Sequence, residues 1–163
     1  MPIEIERKFL VNSTGFKKDC YGKIYIKQGF LNSNKHRVVR IRVIDETGYI
    51  TIKGLSYNQG TSRFEWEKEI SKDDAEQLLL LSETAVIEKI RYFVKIENHI
   101  IEVDEFWGDN KGLYIAEIEL HSVGELFKKP PWLGKEVTGK KKYYNATLSK
   151  KPYNTWKRKP QKK

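Results

Sequence analysis

Ile3-Glu4-Ile5-Glu6-Arg7-Lys8-Phe9-Leu10, near the start of a 163-residue chain, decides the fold. Read in steps of two, it puts Glu4, Glu6 and Lys8 on one face of a strand and Ile3, Ile5 and Phe9 on the other. A single strand of this kind is equally an amphipathic strand with a solvated side. Its weight comes from repetition. The second strand, 21–31, carries Gln28, and the third, 37–45, carries Arg40 and Arg42. A fourth, 49–54, carries Lys53, and a fifth, 62–70, carries Arg63, Glu65 and Glu67. The sixth, 86–96, presents Lys89 and Arg91; the seventh, 100–106, Glu102 and Asp104; the eighth, 113–121, Glu117 and Glu119. The alternate positions hold Val39, Ile41, Val43, Ile50, Ile52, Phe64, Trp66, Ile90, Ile101, Val103 and Ile118.

Eight strands joined mostly by short turns predict an α+β, β-dominated fold: an antiparallel meander that closes or nearly closes, with a few flanking helices. The turns are Asn32–Asn34, the Asp45-Glu46-Thr47-Gly48 hairpin with a positive φ expected at Gly48, the Leu55–Thr61 loop, and 97–99 and 108–112. Ser71 is the expected N-cap of a short helix, with Asp73 and Asp74 in its first turn and Ala75, Leu78 and Leu79 on one face. A short helix is expected at 124–127, ended by Pro130-Pro131-Trp132, and a last one at 140–150.

Composition bounds the classes. No Ser/Gly/Pro-rich linker divides the chain, so one domain over 1–149 and a basic tail over 150–163 are expected. The formal charge of +9 is concentrated in that tail, which holds seven basic residues and no acid. Removing those seven from 31 leaves 24 basic against 22 acidic residues, so only the tail offers nucleic acid a basic surface. The single cysteine, Cys20, excludes an internal disulfide framework, and no apolar run approaches the length of a membrane span. A cytoplasmic, membrane-independent protein is expected.

Period two does not say which face points inward. An apolar-cored barrel with a charged exterior gives the same alternation. The sorting of signs argues for a charged interior, because whole strands are acidic or basic and like neighbours repel unless a ligand lies against them. Arginines and lysines on adjacent strands suit phosphate oxygens, and clustered carboxylates suit a hard cation such as Mg²⁺ or Mn²⁺. An interior of that kind has to be a hydrated tunnel.

The same residues resemble the CYTH superfamily, the triphosphate tunnel metalloenzymes, and its small stand-alone bacterial members in particular. Glu4-Ile5-Glu6-Arg7-Lys8 matches the ExExK signature. Gln28-Gly29-Phe30-Leu31, Arg40-Ile41-Arg42, Thr51-Ile52-Lys53, Ser62-Arg63, Glu88-Lys89-Ile90-Arg91-Tyr92, Val103-Asp104, Glu117-Ile118-Glu119 and Glu136-Val137-Thr138 follow in order. The resemblance implies an eight-stranded antiparallel closed β-barrel, a metal-dependent tunnel closed around a triphosphate. Lys8, Arg40, Arg42, Lys53, Arg63, Lys89 and Arg91 would grip phosphates. Glu4, Glu6, Asp104, Glu117 and Glu119 would hold Mg²⁺ or Mn²⁺, and Lys8, Glu65 and Glu67 would lie on the catalytic side.

Two residues depart from that pattern. Phe30 stands where many relatives have tyrosine, so a lysine–tyrosine pair at that position is lost and Lys8 reads as a phosphate clamp. Lys140 stands where relatives often carry aspartate. The activity expected is hydrolysis of inorganic tripolyphosphate or a related triphosphate. The alternatives are a class IV adenylate cyclase, for which the sequence identifies no base-recognition residues, and a non-catalytic binder of polyphosphate or RNA 5′-triphosphate. Three helices cannot cover eight strands, so a homodimer through the remaining apolar face is also expected.

Overall fold

A computed structural model describes residues 3–156. Its strands are β1 (Ile3–Val11), β2 (Gly22–Asn32), β3 (Arg37–Ile44), β4 (Thr47–Tyr57), β5 (Ser62–Ser71), β6 (Ile87–Ile96), β7 (His99–Phe106), β8 (Tyr114–Glu119) and β9 (Leu133–Glu136). The helices are α1 (Phe16–Asp19), α2 (Lys72–Leu79) and α3 (Asn145–Lys150). The sheet order is β5-β4-β3-β2-β6-β7-β8-β1-β9, and β1 also pairs with β5. That last pairing closes eight antiparallel strands into a barrel, as expected. β9 lies outside the ring: β1 bonds β5 through Ile3–Ile5 and then β9 through Phe9 and Val11.

Cross-strand partners share a face, and the face opposite the apolar residues packed under α1 and α2 is the inward one. Glu4 is opposite Arg63, Lys8 opposite Glu117, Lys53 opposite Glu65, and Arg91 opposite Asp104. These charges point into the barrel.

The apolar residues form three clusters. Outside, Phe9, Tyr92, Val94, Ile101, Val103, Ala116 and Ile118 pack under Phe16 of α1 and Trp132. Also outside, Ile41 and Val43 pack under Ala75 and Leu79 of α2. The third cluster is inside: Phe30, Ile87, Phe106 and Ile115 share the inward face with Arg40, Gln28, Lys89 and Asp104. They are sealed by Val137, Tyr143 and Leu148, so the C-terminal segment plugs one end of the barrel.

Several local expectations are corrected. Gly48 does not have positive φ; Asp45 does, at 52°. Gly48 is instead the floor on which α2 rests, because a Cβ there would stand 2.6 Å from the Ala75 methyl and 2.7 Å from the Ser71 carbonyl oxygen. Ser71 does cap α2, its side chain accepting from Asp74 N–H at 3.0 Å. The 55–61 loop shrinks to a turn because β4 runs on to Tyr57. Residues 124–127 form no helix; Glu125 is held by His121 N–H at 2.7 Å and by the half-buried His99 ring. The 140–150 helix is split by extended Tyr144 into a 3-10 turn, Lys141–Tyr143, and α3.

Tyr49 lies opposite Arg42 and Glu69 and so shares the inward face. The packed region extends past residue 149: Tyr153 N–H donates to Asn110 Oδ1 at 2.8 Å, and the Trp156 ring packs against Tyr143. The basic residues Lys157, Arg158, Lys159, Lys162 and Lys163 lie outside the described residues. Among those described, no helix is long and apolar enough to cross a membrane.

Candidate active site

β1 can present Glu4, Glu6 and Lys8 together because its period-two pattern is unbroken, and β8 and β5 bring the facing groups to its two sides. The charged interior encloses a cavity of about 640 Å³. Lining it are Glu4, Glu6, Lys8, Arg40, Arg42, Lys53, Arg63, Glu65, Glu67, Arg91, Glu117 and Glu119, all expected from the sequence.

Two expected residues sit behind the wall. Lys89 and Asp104 are 0% and 1% exposed and bind each other at 2.8 Å, beneath the Phe106 ring. Neither lines the cavity; the pair is fully covered within the wall. Asp104 also accepts the Arg91 fork, Nε at 2.7 Å and Nη2 at 2.9 Å, and the third arm of Arg91 reaches Glu102 at 2.7 Å.

The remaining pairs divide the cavity. On one side lie carboxylates: Glu4, held by Lys53 at 3.1 Å; Glu117, held by Lys8 at 3.1 Å; and Glu6, Glu65 and Glu119 beside them. Burial, followed by the charges of Glu117 and Glu4, pushes Glu6 up to about 8. Burial likewise raises Glu4, outweighing Lys53. Burial would also raise Glu117, but Lys8, Arg91 and Lys89 hold it well below the usual carboxylate range. Lys8 is raised, since Glu117 and Glu6 outweigh its burial.

On the other side stand Arg40 and Arg42. Arg42 reaches Glu67 at 3.2 Å, Arg40 reaches Thr51 Oγ1 at 3.4 Å, and Thr51 in turn donates to Glu67 at 2.8 Å. Burial and the neighbouring Arg42 lower Arg40 to about 9. The Nε donors of both arginines are buried without a hydrogen-bond partner among the described residues, as are both amide atoms of Gln28, which lies opposite Arg42. Buried donors left unsatisfied are costly, so this wall is built for an acceptor that comes from outside the chain.

The donor set fits a hard divalent cation. It is all oxygen, and burial together with the neighbouring carboxylates raises Glu4 and Glu6 despite Lys53, so added positive charge would be favoured beside them. Among the described residues no three acidic, histidine or cysteine side chains already converge as a ligand set, since lysines engage two of the carboxylates.

Sequence reasoning missed Tyr144, Asn145, Lys35 and Lys141, which also line the cavity. Lys35 lies in the turn between β2 and β3 and the other three in the irregular C-terminal segment, where no periodicity marks the inward residues. Glu102 lines the cavity too, and its parity with Asp104 was the available signal.

A charged, one-ended antiparallel tunnel with ExExK on its first strand defines a class, and the sequence agrees: the CYTH domain matches residues 2–153, and the chain belongs to that family. Among individual relatives, an inorganic triphosphatase of Acetivibrio thermocellus is 46% identical over 155 residues, covering 94% of this chain and 97% of that protein. One from Nitrosomonas europaea is 33% identical over 150 residues, covering 90% and 96%. A solved structure described as an inorganic triphosphatase superposes with a TM-score of 0.62 at 31% identity, covering 90% of this chain and 97% of its own.

Proposed function

We propose that this chain is a triphosphatase hydrolysing a linear inorganic triphosphate inside the tunnel, with Mg²⁺ or Mn²⁺ as cofactor. The observation that carries this reading is the pair of unsatisfied buried arginine Nε donors facing a carboxylate cluster across one cavity. A polyphosphate chain supplies acceptors to the first, and a hard cation supplies charge to the second. The two relatives named as inorganic triphosphatases point to tripolyphosphate as the substrate class.

Phosphoryl transfer needs little covalent participation from the protein; positioning and charge neutralisation suffice. Arg40 and Arg42 would take non-bridging phosphate oxygens through donors that are already buried. Lys53 and Lys8 would exchange part of their carboxylate contact for phosphate. Glu4, Glu6, Glu117 and Glu119 would hold the cation, which when bound neutralises developing charge and lowers the pKa of water. Glu67 is lowered because the Thr51 hydrogen bond and the charges of Arg42 and Arg40 outweigh its burial, so it is ionised at neutral pH and able to orient a water. Glu65, on β5 with Glu67, stands 3.9 Å from Lys53 of the neighbouring β4.

The test is phosphate release from tripolyphosphate and from ATP with Mg²⁺, Mn²⁺ or chelator, run beside a cyclic-AMP assay. Metal-dependent release from tripolyphosphate is expected. Cyclic AMP without phosphate release would replace this reading with the cyclase, and binding without turnover would replace it with the non-catalytic binder. The outer face around Trp66 and Ile3, 41% and 58% exposed, is where we place a homodimer contact; sedimentation showing only monomer at micromolar concentration would exclude it.

A further inference from the structure

Two consecutive residues, Tyr144 and Asn145, enter the cavity at the point where the plugging segment turns inward. The turn is forced. Tyr144 is extended, with φ −72° and ψ 139°, while its neighbours Tyr143 and Leu148 are both anchored in the inner apolar cluster. The Tyr144 ring centroid then lies 5.3 Å from Lys8 Nζ, and Asn145 Oδ1 accepts from Lys89 Nζ at 3.3 Å.

These lysines are on different strands, β1 and β6, and each has one main carboxylate partner: Glu117 at 3.1 Å for Lys8 and Asp104 at 2.8 Å for Lys89. An ammonium on a four-carbon stem with a single carboxylate can swing about it; a second contact from another direction fixes where its remaining donors point. The types of the second contacts matter. A ring face and a neutral amide direct an ammonium without adding negative charge to a site that has to admit a polyanion. A carboxylate in either place would hold the lysine as firmly and repel the ligand.

We propose that Tyr144 and Asn145 are positioning residues: Tyr144 aims Lys8 at the phosphate chain, and Asn145 fixes the buried charge of Lys89 just behind the wall, while both keep the plugged end of the tunnel free of further negative charge. The inference rests on the tunnel being a triphosphate site. It gives the C-terminal segment a role in substrate affinity as well as in closing the barrel.

The experiment compares full-length Tyr144→Phe, Tyr144→Leu, Asn145→Ala and Asn145→Asp with the parent chain. It measures KM and kcat for tripolyphosphate at saturating metal, thermal midpoint, and calorimetric affinity for tripolyphosphate without metal. Tyr144→Leu and Asn145→Ala should raise KM and weaken metal-free binding on the order of tenfold, the scale of one desolvated cation contact. Tyr144→Phe should match the parent, because the ring face is unchanged. Asn145→Asp should bind tripolyphosphate at least as poorly as Asn145→Ala while keeping the parent thermal midpoint, a ranking that a purely structural contact would reverse.

Unchanged KM and affinity in Tyr144→Leu and Asn145→Ala would overturn the proposal. So would Tyr144→Phe as impaired as Tyr144→Leu, or full affinity in Asn145→Asp. A parent chain that binds tripolyphosphate with this ranking but releases no phosphate would support the positioning role and overturn only the hydrolytic reading.

Discussion

Arg91→Ala should lower stability by about 3 kcal/mol, through the loss of a buried fork rather than of a surface charge. Arg91 commits Nε and Nη2 to Asp104 and Nη1 to Glu102. The Glu102 side chain is 30% exposed, so solvent screens that arm and its share is small. Asp104 is 1% exposed, and removing one partner of a buried ion pair costs roughly 3–5 kcal/mol. Lys89 stays on Asp104 at 2.8 Å, which places the expected loss at the lower end. For a chain of this length each kcal/mol moves the thermal midpoint by about 2–4 °C, so a fall of roughly 6–12 °C follows. Circular dichroism melting in chelator measures it. Arg91→Lys keeps a charge but not the two-pronged geometry, and should lose about half as much. In the Arg91→Ala/Asp104→Asn double variant the contact between the two side chains is lost only once, so the double should be less damaged than the two single losses summed. A loss under about 1 kcal/mol for Arg91→Ala, or strict additivity in the double variant, would refute the reasoning and leave Arg91 as a group held ready for substrate alone.

Glu6→Gln should abolish metal-dependent phosphate release while leaving the chelator-treated protein folded, and it should remove the rise in thermal midpoint that Mg²⁺ or Mn²⁺ gives the parent chain. Arg42→Ala should weaken tripolyphosphate binding by about 1.5–3 kcal/mol, read as the change in KM or in calorimetric affinity. Glu105 lies on the outer face. Burial would raise it, but hydrogen bonds from Lys17, Tyr114 and Tyr92 outweigh that and lower it. A lowered carboxylate contributes stability that is fully present above its unfolded value and is lost as pH falls through its folded one. Glu105→Gln should therefore be less stable than the parent by about 1 kcal/mol at pH 7, with the gap closing toward pH 3 in a urea titration series.

Most of the barrel was legible because each strand keeps its own period of two, and the charged positions fall on one parity from Glu4 to Glu119. Which parity faced inward was not legible from period alone; the resemblance indicated it and the cavity that Glu4, Lys8, Arg63 and Glu117 line together establishes it. The plug escaped notice because Phe30, Ile87, Phe106 and Ile115 share the inward parity with the charges, so along any one strand each looks like an exception rather than part of a layer. β9 is four residues long and includes Gly134, whose Cβ would meet Leu10 O at 2.9 Å; such a strand is defined by its neighbour and not by its own side chains. The withdrawal of Lys89 and Asp104 behind the wall is a property of their pairing, which spacing cannot reveal. Tyr144 and Asn145 reach the site only because Tyr143 and Leu148 anchor the chain on either side of them.

The division of β1 between two partners bears on how the molecule assembles and breathes. Among the described residues the ring closes only where Ile3–Ile5 meets Ser62–Phe64, whereas β4 and β5 are joined along nearly their whole length. The closing contact is also far apart in sequence, so its loop entropy must be overcome before it gains anything, and it should form late in folding. Glu4 lies in this seam, opposite Arg63. Amide hydrogen exchange should be fastest here among the barrel strands, and the part of the wall that carries the first signature carboxylate is the part the fold can unzip at least cost.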